Sequence, residues 1–195
     1  MVIEGNKLTV MSNDDPRHSV FRTEGKPAPG ELVRVHGFLN TWSDELGIED
    51  FSTPKSTEKW LRAAGLWEGD KTLNNDEHQR ILALRDLVRR CVLKQVSPEL
   101  LTGGVFQISF GMKFEEDCPV LVPETDSASE RVIGQLVAII YNSMIDGTWA
   151  RFKCCALPTC GWAYYDTTKS RTKRWCSMRT CGSRSKARRY YERHR

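Results

Sequence analysis

Five of the chain's seven cysteines fall between positions 154 and 181. Cys155 and Cys160 enclose four residues, Cys176 and Cys181 enclose four more, and fifteen residues separate the two pairs. Structural zinc takes four soft donors in a tetrahedron, supplied as two close pairs joined by a longer loop. A tight turn within each pair can aim both sulfurs at one point, and Pro158 and Gly161 favour such a turn around the first. Cys154 could stand in for Cys155 at a five-residue gap, but the equal spacing favours Cys155. Disulfides do not suit a chain without an export signal, and the absence of C-x-x-C argues against a redox pair. One structural Zn2+ is therefore the expected cofactor.

Four thiolates around one zinc ion leave two negative charges, which Arg174, Arg179 and Arg184 can offset. The tail is more basic than that purpose requires. Residues 151–195 carry 13 Lys and Arg against 2 acids, a balance of +11. Residues 1–150 carry 16 against 23, a balance of −7, which brings the chain to its +4. An acidic body with a strongly basic tail points to nucleic acid, or another polyanion, for the tail alone.

No apolar run approaches the ~20 residues of a membrane span, and the N-terminus lacks the layout of a secretory signal. A cytoplasmic protein is expected. No glycine-rich phosphate loop, nucleophile elbow or His-Glu-x-x-His pattern occurs, so no enzyme activity is expected. His36 lies in an apolar helix and His78 near a helix start, and both read as structural or surface residues. Trp42, Trp60 and Trp67 read as core, Cys91 as core and Cys118 as a loop thiol.

The elements that must position the cysteines follow from periodicity. The opening to about Gly30 is rich in turn formers. "ELVRVHGFLNTW" has helical spacing at Leu32, Val35 and Leu39. Thr53 before Pro54 caps a second helix that Gly65 ends, and residues 75–95 make the longest amphipathic run. "SPELL" adds a short turn. Phe106, Ile108, Phe110, Met112 and Phe114 alternate with polar residues, which predicts a strand returning through residues 120–122 as a hairpin. A last body helix runs from about Ser127 to Gly147, and "GWAYYD" forms a short strand within the tail.

The run "RWCSMRTCGSRSKARRY", with the upstream "C-A-x-P-x-C-G-W" and "Y-Y-D", resembles the C-terminal zinc finger of the bacterial CGNR family. "FLNT" and "WLRAAGL" are similar, more loosely, to the ABATE domain that precedes that finger. The resemblance implies an ABATE-like domain over 1–147 and a CGNR-like finger over 148–195, with Cys155, Cys160, Cys176 and Cys181 as zinc ligands. The expected fold class is α+β: a mainly helical body with a β-hairpin, then a small treble-clef or ribbon-like finger with a basic helix. Ser183 stands where the family motif has asparagine, which removes any two-point amide contact to a base.

The implied function is a zinc-dependent, duplex-DNA-binding transcription regulator whose body dimerises or senses a small-molecule effector. An RNA-binding finger or a protein-docking module are the alternatives. In the expected arrangement Arg179, Arg184, Lys186, Arg188 and Arg189 line a helix suited to the major groove, and Arg171, Lys173 and Arg174 contact phosphates. Ala187, Tyr190 and Tyr191 would pack inward, while Trp162, Tyr164 and Tyr165 form the finger's core. On this view Cys176→Ser unfolds the tail and leaves the body folded.

Overall fold

The computed structural model describes residues 25–103, 106–115 and 118–194. Most of the turn-rich opening segment lies outside them. The body comprises α1 (Leu32–Leu39), β1 (Trp42–Ser43), β2 (Ile48–Glu49), α2 (Pro54–Ala63), α3 (Asn75–Val92), α4 (Leu100–Gly103), β3 (Phe110–Glu115), β4 (Cys118–Pro123) and α5 (Ala128–Ile145). After a 3-10 turn at Thr148–Arg151 come β5 (Phe152–Cys154), β6 (Ala163–Tyr165), a π-helical turn at Met178–Gly182 and α6 (Ser183–Arg193). The fold is α+β. Among the described residues each strand pairs antiparallel with its sequence neighbour, so there are three small hairpins where one was expected.

α1 is the centre of the body. Leu32, Val33, Val35, His36, Phe38 and Leu39 are all buried, and the helix packs on α3, α5 and β6. A helix apolar on most of its circumference has to be enclosed in this way. Local chemistry sets the other helix starts. Thr53 and Ser56 form a reciprocal capping box on α2, Asn74 and Glu77 form another on α3, and Ser127 caps α5. Each such cap contributes about 1 kcal/mol. Gly65, at φ +66°, ends the α2 segment where the sequence placed its stop.

The alternating run from Phe106 becomes a paired strand only at Phe110, where the register sets Phe110 opposite Pro123. One further bond, Glu124 N–H to the Ser109 carbonyl at 2.9 Å, extends the pairing before the chain turns into α5. Phe106 is buried in the body's core and has no strand partner among the described residues. Alternation specifies an extended segment, and pairing additionally needs a neighbour. Cys118, read as a loop thiol, is the first residue of β4 and is exposed.

Body and tail share apolar packing. Phe152, Cys154 and Ala163 belong to the same core as Phe38, Leu84 and Leu136. A smaller cluster holds Cys155, Leu157, Cys160, Trp162, Tyr164, Cys176 and Cys181, and Ile48 of the body packs against it. Trp60 of α2 and Trp67, in the segment after that helix, are core, whereas Trp42 is half-buried. No helix among the described residues is long and apolar enough to cross a membrane.

Candidate metal centre

Each cysteine pair is shaped by its own turn. In the first, the Cys160 N–H donates to the Leu157 carbonyl at 3.0 Å, and Gly161 at φ +59° reverses the chain so that Cys155 N–H can reach the Trp162 carbonyl at 2.8 Å. In the second, Ser177 Oγ accepts from Thr180 N–H at 3.3 Å, and Gly182 N–H closes the π-helical turn on the Ser177 carbonyl at 3.0 Å. That wider turn carries Cys181 back towards Cys176. The pairs are joined by Ala156 N–H donating to the Arg174 carbonyl at 2.9 Å. Between them Asp166 pins the intervening excursion. It accepts from Lys153 Nζ at 2.6 Å, Thr168 Oγ1 at 2.6 Å and Lys173 N–H at 3.1 Å. Burial pushes its carboxyl up, but the bonds from Lys153 and Thr168 outweigh that and hold it at about 2.

The four sulfurs of Cys155, Cys160, Cys176 and Cys181 lie within 4.8 Å of one another, and all four residues are buried. Cys160 and Cys176 Sγ are 3.7 Å apart, as are Cys176 and Cys181 Sγ. A tetrahedron with zinc–sulfur bonds of ~2.3 Å has edges of about 3.8 Å, so the donor spacing fits zinc. The electrostatics point the same way. Hydrogen bonds from the Cys160 and Cys176 thiols hold Cys155 down to about 2, whereas donating to that thiolate holds Cys160 up at about 12 and raises Cys176 as well. Thiolates crowded this closely repel one another, and a divalent cation at their centre would offset that repulsion. Cys154 is outside the cluster. It sits in the body's core, where burial pushes its thiol up to about 12. Spacing had left Cys154 and Cys155 as alternatives, and packing separates them.

The body supplies supports that sequence reasoning missed. Asn40 grips the backbone of Ala163 at two points, accepting from its N–H at 2.8 Å and donating to its carbonyl at 3.1 Å. His36 Nε2 also donates to that carbonyl at 3.0 Å, while Nδ1 accepts from Ala28 N–H at 3.2 Å. Ser43 Oγ donates to the carbonyl of the ligand Cys160 at 3.1 Å. Arg89 of α3 is a buried cation beside the first ligand pair. It bonds the carbonyls of Gly161 and Leu39 and lies 4.8 Å from the Trp42 ring centre. The signals available in advance were His36 within a mostly apolar helix and the polar pair Asn40-Thr41 at its end.

Gly161 is enclosed by these supports. A Cβ there would lie 2.9 Å from the Trp42 ring and 3.3 Å from Arg89, at a positive φ that L residues rarely adopt. Gly161→Ala is therefore expected to cost roughly 1–3 kcal/mol of stability, measured by urea unfolding of the zinc-loaded protein. An unaltered midpoint would show that the turn relaxes freely.

The predicted cationic contacts divide into several environments. Arg184 pairs with Glu45 of the β1–β2 turn, and Arg188 pairs with Glu192 at 2.9 Å. Lys173 lies over the Tyr164 ring at 4.8 Å and Arg174 over Trp175 at 5.4 Å. Arg171 is exposed in a turn at φ +55°. Arg179, Lys186 and Arg189 are exposed and make no ion pair among the described residues. The expected inward packing of Ala187, Tyr190 and Tyr191 does not occur. All three are exposed, and α6 buries none of its residues. Trp162 and Tyr164 do form the finger's core, whereas Tyr165 packs against the body.

Residues 151–194 match the family model of the CGNR zinc finger. No match is found among curated proteins. Four buried thiols at zinc's own spacing, inside the segment that matches that model, form a site for one structural zinc ion.

Proposed function

We propose that the chain is a cytoplasmic, zinc-dependent transcription regulator that binds duplex DNA through α6, with no catalytic role. The observation carrying this reading is that α6 is a basic helix of 11 residues without a buried side chain, attached at its N-terminal end to the ligand Cys181. Helices normally persist by burying a face, so one that buries nothing suits a surface completed by a partner. Lys186, Arg189 and Arg193 recur at i, i+3 and i+7, one stripe by helical period. Arg179 lies on the turn just before the helix, and Lys169 and Arg171 sit on the exposed loop between β6 and Cys176. Helix width suits the major groove, and arginine is its commonest reader of guanine. In this reading the body serves dimerisation or effector sensing.

A second reading, single-stranded nucleic acid, is favoured by the exposed Tyr190 and Tyr191 rings, since aromatic faces stack bases. Docking of α6 on the chain's own acidic body is not favoured, because Arg184 is the α6 cation that pairs with the body among the described residues.

The test is a salt series on the zinc-loaded protein with labelled duplex, single-stranded DNA and RNA. Four to six phosphate contacts predict a log–log slope of about −4 to −5, at roughly −0.9 per contact. Replacing Lys186 and Arg189 together by alanine is expected to reduce the slope by about 2 while retaining zinc. Duplex binding with no salt dependence, or none at low salt, would remove the proposal. Preference for single strands would select the second reading.

A further inference from the structure

The turn between β1 and β2 belongs to the body by sequence, yet its tip lies against the finger. Gly47, at φ +61°, lets the turn close through its N–H on the Asp44 carbonyl at 3.1 Å. Glu45 is thereby held by both halves of the zinc centre. Its N–H donates to the Thr159 carbonyl at 2.9 Å, and its Oε2 accepts from Thr159 Oγ1 at 3.0 Å, one residue before the ligand Cys160. Its Oε1 pairs with Arg184, three residues after the ligand Cys181. The side chain of Glu45 is 24% exposed and that of Arg184 60% exposed, so the acid is the more enclosed partner.

Arg184 lies in the first turn of α6. With about 100° between successive residues, Lys186, Arg189 and Arg193 fall near 200°, 140° and 180° from it around the helix axis. The stripe proposed to meet DNA is thus on the side of α6 opposite the ion pair. Because α6 buries no side chain, little besides its continuity with the turn that carries Cys181 sets its orientation.

We propose that Glu45 is a positioning residue for nucleic-acid binding: by holding Arg184 against the body, it turns the Lys186–Arg189–Arg193 stripe outward. This rests on the function proposed above. Arg184 then acts on the helix and not on phosphate.

The test compares duplex affinity and salt slope for the parent, Glu45→Arg, Arg184→Glu and the double exchange, each checked for zinc stoichiometry and thermal midpoint. Glu45→Arg adds two positive charges, so simple attraction to a polyanion predicts tighter binding. Positioning predicts the reverse, because two arginines would face each other at the base of the helix; a loss of roughly tenfold is expected for like charges set face to face. The double exchange has the parent's net charge and restores an opposite pair, so its affinity should return to within about threefold of the parent at the parent's slope. Tighter binding by Glu45→Arg, or a double exchange no better than Arg184→Glu, would overturn the proposal. If the parent shows no salt-dependent duplex binding, it is the function itself that fails, before the variants are compared.

Discussion

Zinc removal is expected to lower the thermal midpoint of the whole chain by about 10 °C or more, in one transition. A separate melting of residues 151–195 on top of an intact body is not expected. The reason is shared packing. Phe152, Cys154 and Ala163 fill the body's core, with Phe152 at 5.5 Å from the His36 ring. Asn40 and His36 bond Ala163, and Arg89 and Ser43 bond the first ligand turn. Losing the metal releases that turn, which leaves polar groups of α1 and α3 without their partners. Structural zinc in isolated fingers contributes on the order of 10 kcal/mol. If only about 4 kcal/mol of that reaches the body, a chain of this size loses roughly 10 °C. Cys176→Ser is expected to do the same, where the sequence taken alone led to the expectation that the body would be spared. Calorimetry with and without a zinc chelator, beside metal analysis, decides the matter. Two transitions with the upper one unmoved would mean that the body stands alone.

Acid is expected to destabilise the protein through His36 between pH 6.5 and about 4. Burial lowers the pKa of this histidine from 6.5 to about 4, with the Ala163 bond opposing the shift. The buried ring must be neutral, because Nδ1 accepts from Ala28 while Nε2 donates to Ala163. Below pH 6.5 the unfolded chain takes up a proton that the folded one refuses. Stability is therefore complete above pH 6.5 and is lost progressively as the pH falls to about 4. At 1.36 kcal/mol per unit the loss is about 3 kcal/mol. Urea unfolding across that range should show the decline in the parent and a flatter profile in His36→Gln. Acid also releases zinc by protonating thiolates, but that effect is common to both proteins. Identical slopes would exclude His36.

The helices and the ligand pairs were legible because their causes are local. Thr53 accepts from Ser56 N–H, Asn74 from Glu77 N–H and Ser127 from Glu130 N–H, so each helix start is capped by a side chain three residues from its partner. Cys155 with Cys160, and Cys176 with Cys181, are brought together by turns of their own. Zinc's need for four soft donors then joins the pairs without reference to the rest of the chain. The two-residue strands β1 and β2 were not legible, since no periodicity exists over so short a span. The start of β3 was misplaced because alternation continues to Phe106, beyond the reach of its partner strand.

What sequence alone determined, then, was the metal, its ligand spacing and the charge contrast between body and tail, all properties of residue type and short separation. Tertiary structure alone decided that Cys154 belongs to the core, that Asn40, His36 and Arg89 support the finger from more than 70 residues away, and that Arg184 faces Glu45. Those roles depend on where distant segments meet in space. Burial then fixes their energetics, because a polar group removed from water must find its partner within the protein.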